Sequence, residues 1–515
     1  MNGKLAAVSL TSADTATSVY RCRHTVASMV SIAVCNRSTA EAEITISIGS
    51  TANTIDIGSV IEFKTDLLAK NVLERTGVAV SSGEYITVES TQADVSVVVM
   101  GTEIGTFDSS IPEITIVYFA TLSSALTVNN FNTFGTQAGD RFGRSVGVSG
   151  DKAIIGAFAE DGAGGAGTGA AYILSTDGTL VHTLNNPGGA AGDGFGLSVD
   201  ISGNTAVVGA YGHNSFAGRA FIYNVGTGSV EHTISPPTTA PNITFGRFVA
   251  TDGVNAIIAC PAEASNGGAS GTAQEGKAHI FNVSTGSLVH TLDHPNSSGG
   301  DSAYDNFSDE AVDISGNYAI VGAYNEQPVG GKAYIFNVST GALVYTLDNP
   351  NADGAETTDR FGSAVAIDGD YAVVGNHTEY YSSGSTGDGV VYIYRVSTGA
   401  LLHTVASPVQ GGTDEYGNFG KTVSLSGYYA VIGSESYSVG GGSTGRAYVI
   451  DVRTGSVVQT IENPSSYGVS IQDKFGDAVA IDNRTLVIAA SQEDSAGSEV
   501  AYSADDSGKA YIFTG

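Results

Sequence analysis

Cysteine is scarce. Cys22, Cys35 and Cys260 are too few and too scattered for a disulfide framework or a cysteine-built zinc site. Proline is scarce as well, 11 residues against 68 glycines, so the chain turns mainly through glycine; hydrophobic residues still make up 42%, which excludes a disordered tract. Positive charge is the third shortage. With 22 Lys and Arg against 52 Asp and Glu, the formal charge of −30 repels phosphate backbones and anionic bilayers, so neither nucleic acid nor membrane insertion is expected. No apolar run approaches the ~18 residues of a membrane span. The opening MNGKLAAVSLTSADTATSVYRCRH has no secretory apolar core. A soluble product of a reducing cytosol is the expectation. Charged residues amount to only 14%, while Val, Ile, Thr, Ser and Tyr abound, a β-rich composition.

What the chain has is repetition. A phrase such as DRFGSAVAIDGDYAVVGN (359–376), a Gly/Ser-rich loop, then GVVYIYRVSTGALLHTVASP (389–408) recurs seven times. Its opening phenylalanine stands at Phe142, Phe195, Phe245, Phe307, Phe361, Phe419 and Phe475. Each copy holds four apolar stretches of strand length; in the second these are FGLSVDIS, TAVVGAY, GRAFIYNV and SVEHTIS. Turns such as Ser202-Gly203-Asn204 join the first pair, and Thr285-Gly286-Ser287 or Thr340-Gly341-Ala342 the second, so every copy is a β-meander. A lone meander leaves two faces and two edges bare, and seven placed around an axis cover one another. A linear β-solenoid is the competitor, but its turns are much shorter than this unit. The fold expected is all-β: a seven-bladed propeller.

The seventh copy ends at GKAYIFTG (508–515) and supplies only three strands. Ahead of the first copy stands SSALTVNNFNTFG (123–135), which matches the fourth-strand phrase TGALVYTLDNPNADG (340–354) in order and character. A strand at about 124–129 is expected to complete the last blade and close the ring.

These phrases resemble the FG-GAP repeat family, known from the heads of integrin α subunits and from many bacterial and viral proteins. Phe-Gly stands at 142–143, 195–196, 245–246, 361–362, 419–420 and 475–476, and Phe307-Ser308 departs. The Gly-Ala-Pro signature is degraded to Gly156-Ala157, Gly209-Ala210, Gly322-Ala323 and Cys260-Pro261. The resemblance spans about residues 123–515 and implies the propeller; a propeller hosts many activities, so function does not follow.

Residues 1–107 lack the repeat and read as a small antiparallel β-sandwich of about seven strands, with 108–122 as connector. The series SIAVCNRS, LERTG, GEYITVES and DVSVVVMG resembles a small β domain of tailed-bacteriophage structural proteins, especially those of marine cyanobacteria. That resemblance implies an anchor holding a distal domain on a particle.

Chemistry is sparse. Gly143-Arg144-Ser145-Val146-Gly147 fits a nucleophile pattern but lies on a strand with no helix after it. Gly162, Gly164 and Gly167 fit a dinucleotide pattern without its strand-turn-helix and read as a hairpin loop. His182, His232, His290 and His403 share one position in the outermost strand, where Tyr345 and Gln459 also occur, so they lie on a ring and cannot converge. The resemblance implies calcium loops between first and second strands, yet turns such as Ser149-Gly150-Asp151 and Asp368-Gly369-Asp370 are too short to wrap an ion with 6–8 oxygens. Acid pairs at Glu160-Asp161, Glu493-Asp494 and Asp505-Asp506 leave casual structural calcium open.

No catalytic residue, metal ligand or cofactor is therefore expected. The reading is a non-enzymatic virion protein of a tailed phage, a tail, fibre or baseplate component. It contacts other virion proteins through its N-terminal domain and a host-surface glycan or protein through its propeller loops; a homo-oligomer is compatible. Tyr380, Tyr381, Tyr437 and Tyr502 in those loops are the candidate contact residues. A decoration protein, a glycan-active enzyme with carboxylates around the central funnel, or a cellular adhesion protein are the alternatives.

Overall fold

The computed structural model contains two compact units, residues 1–120 and 121–515. It describes the backbone of eight strands between Asn2 and Ile104, and residues 125–514 apart from 132–138, 265–274, 297–304, 327–329, 352–358, 380–388, 409–416, 437, 440–441, 465–472 and 494–506.

The first unit contains two four-stranded antiparallel sheets. One runs Asn2–Leu10, Val95–Ile104, Ala27–Asn36, Val72–Ser81; the other runs Thr17–Arg21, Tyr85–Ser90, Ala42–Gly49, Val60–Leu67. Ile44 and Ile46, two apart on one strand face, are fully buried, as is Ile86 on the neighbouring strand.

In the second unit, the described residues form seven four-stranded antiparallel meanders in chain order, together with a two-stranded hairpin, Ser438–Val439 with Gly442–Ser443. The first strand of each meander touches that of the next, and the seventh touches the first, so the ring is closed. This is a seven-bladed β-propeller. The seventh sheet contains Ala478–Asp482, Thr485–Ala490 and Lys509–Thr514, and its fourth strand is Leu126–Asn129. Pairing runs from Lys509↔Asn129 to Ile512↔Leu126. Val128 is buried from this strand into a core shared with Tyr172 of blade one and Ile512 of blade seven.

Burial falls outward within each blade. Second and third strands such as Tyr318–Ala323 and Lys332–Asn337 are covered on both faces, hence their near-continuous apolar text. Fourth strands such as Leu343–Asp348 are largely exposed and bury one inward residue, here Leu347.

The two family signatures touch each other across the blade junctions. A methyl group on Gly209 would lie 1.9 Å from the carbonyl oxygen of Gly246, and one on Gly156 2.0 Å from that of Gly196. The glycine of each Gly-Ala phrase is thus pressed by the Phe-Gly turn of the following blade, and only a residue without Cβ admits that approach. At the junction of blades three and four both letters change, to Ala259 and Ser308, and at that of blades seven and one Ala489 stands opposite Gly143. Each repeat phenylalanine is fully buried against the third strand of its own blade, as in Phe142–Tyr172 at 5.7 Å and Phe361–Tyr392 at 5.4 Å between ring centroids.

Candidate functional site

A channel of about 590 Å³ runs along the propeller axis, walled by the first strands of all seven blades. The inward positions, five residues after each phenylalanine and six in blade four, hold Gly147, Asp200, Ala250, Asp313, Ala366, Ser424 and Ala480. The two carboxylates are fully occupied by main-chain amides. Asp200 accepts from Ile201 N–H at 2.8 Å and from Thr251 N–H of the next blade at 2.6 Å. Asp313 accepts from Ile314 N–H at 2.8 Å and from Ile367 N–H of the next blade at 2.7 Å. Enclosure in the channel wall pushes Asp200 up to about 7, against the pull of those amides. Enclosure does the same to Asp313, to about 8, with the Asp200 charge adding to the rise. These acids fasten blade to blade, and no oxygen of either is left without a main-chain donor.

Ser145, the serine of the nucleophile-like pattern, is used in the same way: Val199 N–H donates to its Oγ at 3.0 Å. Gly162 and Gly165 bridge each other within a loop, as a hairpin requires. The outer histidines remain apart, and each grips the next blade. His182, His232, His290 and His403 donate through Nε2 to the carbonyls of Gly226, Ser284, Ser339 and Arg453 at 2.8–3.3 Å. Tyr345 OH does the same to Ser397 O at 3.0 Å.

The loop acids separate into two kinds. Asp161 accepts from Gly167 N–H in its own loop. Glu160 and Glu493 are buried, accepting from Tyr172 OH and Tyr511 OH at 2.6 Å. Tyr334 OH with Glu326 (2.5 Å) and Tyr392 OH with Glu379 (2.6 Å) repeat the pair. Burial pushes Glu160 up to about 7 despite the tyrosine bond. Glu326 feels the same burial, but bonds from His294, Tyr334 and Asn296 hold it down to about 2. Sequence reasoning missed this pairing, although a glutamate three residues beyond the second strand recurs in five blades. A second set was missed too: Asn130–Asp140, Asn186–Asp193, Asn349–Asp359 and Asn463–Asp473 at 2.8–3.2 Å join each fourth strand to the following blade.

Two buried groups among the described residues bring metal-type donors together: Cys260, Glu263 and His279, and His294, Asp305 and Glu326. Repeat alignment shows where both groups come from. His279 stands where other blades have the tyrosine, donating to Glu263 at 2.9 Å, and His294 stands where they have the asparagine, reaching Glu326 at 3.0 Å. Burial, then Glu263, pushes the Cys260 thiol well up, and Cys260 donates to Ile243 O. Tyr380, Tyr381, Tyr437, Tyr502, Asp494, Asp505 and Asp506 lie outside the described residues.

The family model described as FG-GAP repeat matches residues 135–174, 179–223, 351–394 and 468–513. Those four segments carry FG-GAP repeats. They fall in blades one, two, five and seven, and the remaining blades share their strand order. No curated protein matches the chain. A solved structure that is similar in part is Kuenenia stuttgartiensis hydrazine synthase, at TM-score 0.45 and 10% identity, covering 70% of this chain and 95% of that one. A likeness at that level carries no argument. Among the described residues no helix is long and apolar enough to cross a membrane.

Proposed function

We propose that the protein is a non-enzymatic binding module: an FG-GAP propeller that recognises a host-surface component, carried on a tailed-phage particle by its N-terminal unit. The observation that carries the binding reading is where the repeats differ. Seven blades share one strand pattern, while loop length varies between second and third strands and between blades, as in PAEASNGGASGTAQE (261–275) against YNEQPVG (324–330). The strand ends that flank those loops share one end of the ring, and variation on a rigid scaffold is where recognition is built. The channel carboxylates each accept a main-chain amide from the following blade, a structural use that fits a scaffold carrying its recognition in the loops. The virion assignment rests on the resemblance of residues 1–105 to phage structural domains, and it makes the first unit, as a β-sandwich, the contact to other virion proteins.

Two measurements test this. The full chain should adsorb to host cells, and a variant with Tyr380, Tyr381, Tyr437 and Tyr502 all changed to Ala should adsorb less; equal adsorption removes those residues from the site. Mass spectrometry of purified particles should find the chain, and its absence from them removes the virion assignment while leaving the binding module.

A further inference from the structure

The mouth of the channel on the loop side has a charge opposite to that of the molecule. Two repeat positions border it, the residue before each phenylalanine and the residue two after it. These fourteen places hold Arg141, Arg360 and Lys474 at the first position and Arg144, Arg247 and Lys421 at the second. An even spread of the chain's 22 Lys and Arg over 515 residues would put fewer than one there. Asp309 and Asp477 are the acids at the same places.

Four of the cations, Arg141, Arg144, Lys421 and Lys474, line a cavity of about 350 Å³ at this mouth, the size of a site for a small ligand. Two acids share the cavity with them. Asp477 takes the Ser491 hydroxyl, and Glu435 lies 3.9 Å from Lys474. Outside the cavity, Arg247 is paired with Asp309 at 3.0 Å and Arg360 stacks over Tyr324.

The backbone makes the choice of residue informative. The position before the phenylalanine is left-handed in every blade but the fifth, with φ of 63° at Gly194, 58° at Asn306 and 55° at Asn418, residues that accept that conformation readily. Arg141 and Lys474 hold the same conformation at φ 58°, where a long cation is disfavoured. Their positions at the cavity are kept against a local preference.

The floor is different again. Phe248 occupies the place that carries Ser145, Ser198, Ala364, Thr422 and Ala478 in other blades, and it lines both this cavity and the channel below. Phe248 also carries the Arg247 guanidinium over its ring at 5.9 Å, and an aromatic side chain in one cavity with guanidinium and ammonium groups suits one kind of ligand: a ring with an apolar face and an acidic substituent. The surrounding charge of −30 repels long polyanions, which narrows the ligand to a single acidic residue at a chain end.

We infer that the loop-side mouth, lined by Arg141, Arg144, Lys421, Lys474 and Phe248, binds a terminal sugar carrying one carboxylate or sulfate. This rests on the binding-module reading and gives it a ligand class.

Calorimetric titration of the full chain tests it, using three short oligosaccharides ended by glucuronate, by a mono-sulfated hexose and by glucose, with inorganic phosphate as a fourth probe. One or both acidic ends should bind, at least tenfold more tightly than glucose, and weaken as salt rises. Which acidic end binds separates carboxylate from sulfate. The double variant Arg144→Gln/Lys421→Gln should lose at least tenfold in affinity with its melting temperature retained. Phe248→Ser, which installs the residue of blades one and two, should weaken the sugar as well. Binding of phosphate alone, equal binding of the glucose end, no binding of any sugar, or undiminished affinity in both variants would overturn the inference. Host-cell adsorption of the full chain, measured in parallel, separates the two levels: adsorption that persists without acidic-sugar binding overturns this site and leaves the binding module standing, whereas absent adsorption removes the module.

Discussion

Each blade is fastened to the next near the axis and again at the rim, by opposite chemistry. Near the axis the side chains are acceptors and the neighbour supplies amides. Ser149 Oγ, Asp368 Oδ2 and Asp482 Oδ2 accept from the turn N–H groups of Gly203, Gly427 and Gly150 at 2.6–3.0 Å, the last of these joining blade seven to blade one. At the rim the side chains are donors, His Nε2 or Tyr OH, and the neighbour supplies hairpin carbonyls. The residue types at two repeat positions thus follow from which main-chain group the neighbouring blade presents. Asp200 and Asp313 are half-buried like the rim histidines, and what sets them apart is that they line the narrow channel.

The largest single-site effect should come from the contact that sets how near the blades approach, since both fastenings depend on it. Gly209→Ala would press a methyl group 1.9 Å from Gly246 O, main chain against main chain, at a cost of about 2–3 kcal/mol. Gly203→Ala, in an open turn at φ 58°, should cost about 1 kcal/mol from backbone strain alone. Denaturant melts of the two variants compare them directly. Equal losses would mean that the junction yields and that neither fastening is held to fixed geometry.

The axial acids should couple stability to pH, and buried Glu160, pushed up to about 7, adds to them. Asp313 binds its proton at about pH 8 in the fold, against 3.8 as the ordinary value. Between those values the folded state holds more protons, so this contribution is full below about 3.8 and is lost as pH rises through about 8. Asp200 and Asp477, pushed up to about 7, act in the same direction. Melting temperature should therefore decline from pH 5 to pH 8, and Asp313→Asn should flatten the decline. An unchanged slope in the variant would take the axial acids out of the account.

The smallest effect belongs to the rim. His290→Ala removes one half-exposed bond to Ser339 O and should cost about 0.5–1 kcal/mol. His290→Tyr should cost almost nothing, because Tyr345 makes the equivalent bond one blade later. A tyrosine variant as unstable as the alanine variant would show that donor chemistry is not what the rim position selects.

Much of this fold is legible in the text of the chain because it is written seven times. The recurring phenylalanine, the two glycine turns and the apolar second and third strands are local patterns, and Leu126–Asn129 is recognisable as a fourth strand since it matches the other copies. Among the described residues the first unit has eight strands, where the apolar alternation suggested about seven. The fastenings are not legible in a single copy, because half of each is a main-chain group in the next one. Glu160 reads as a solvated loop acid until Tyr172, twelve residues on, is seen to cover it. His182 reads as a bare strand residue until the Gly226 carbonyl arrives from blade two. The cationic mouth was equally hidden, because Arg141, Lys421 and Lys474 come from blades one, six and seven and meet only once the ring is closed.

Ring closure by a strand from ahead of the first blade is the central claim, and amide hydrogen exchange tests it most directly. In the full chain, amides of 126–129 and of 509–514 should exchange slowly, as an internal ladder does. Deleting residues 123–130 removes four ladder pairs and buried Val128, a loss of about 5 kcal/mol. Exchange across 509–514 should then accelerate first, while 318–323 in the opposite part of the ring stays protected until global unfolding. Unchanged protection of 509–514 in the deleted chain would contradict the closure and with it the account of the ring.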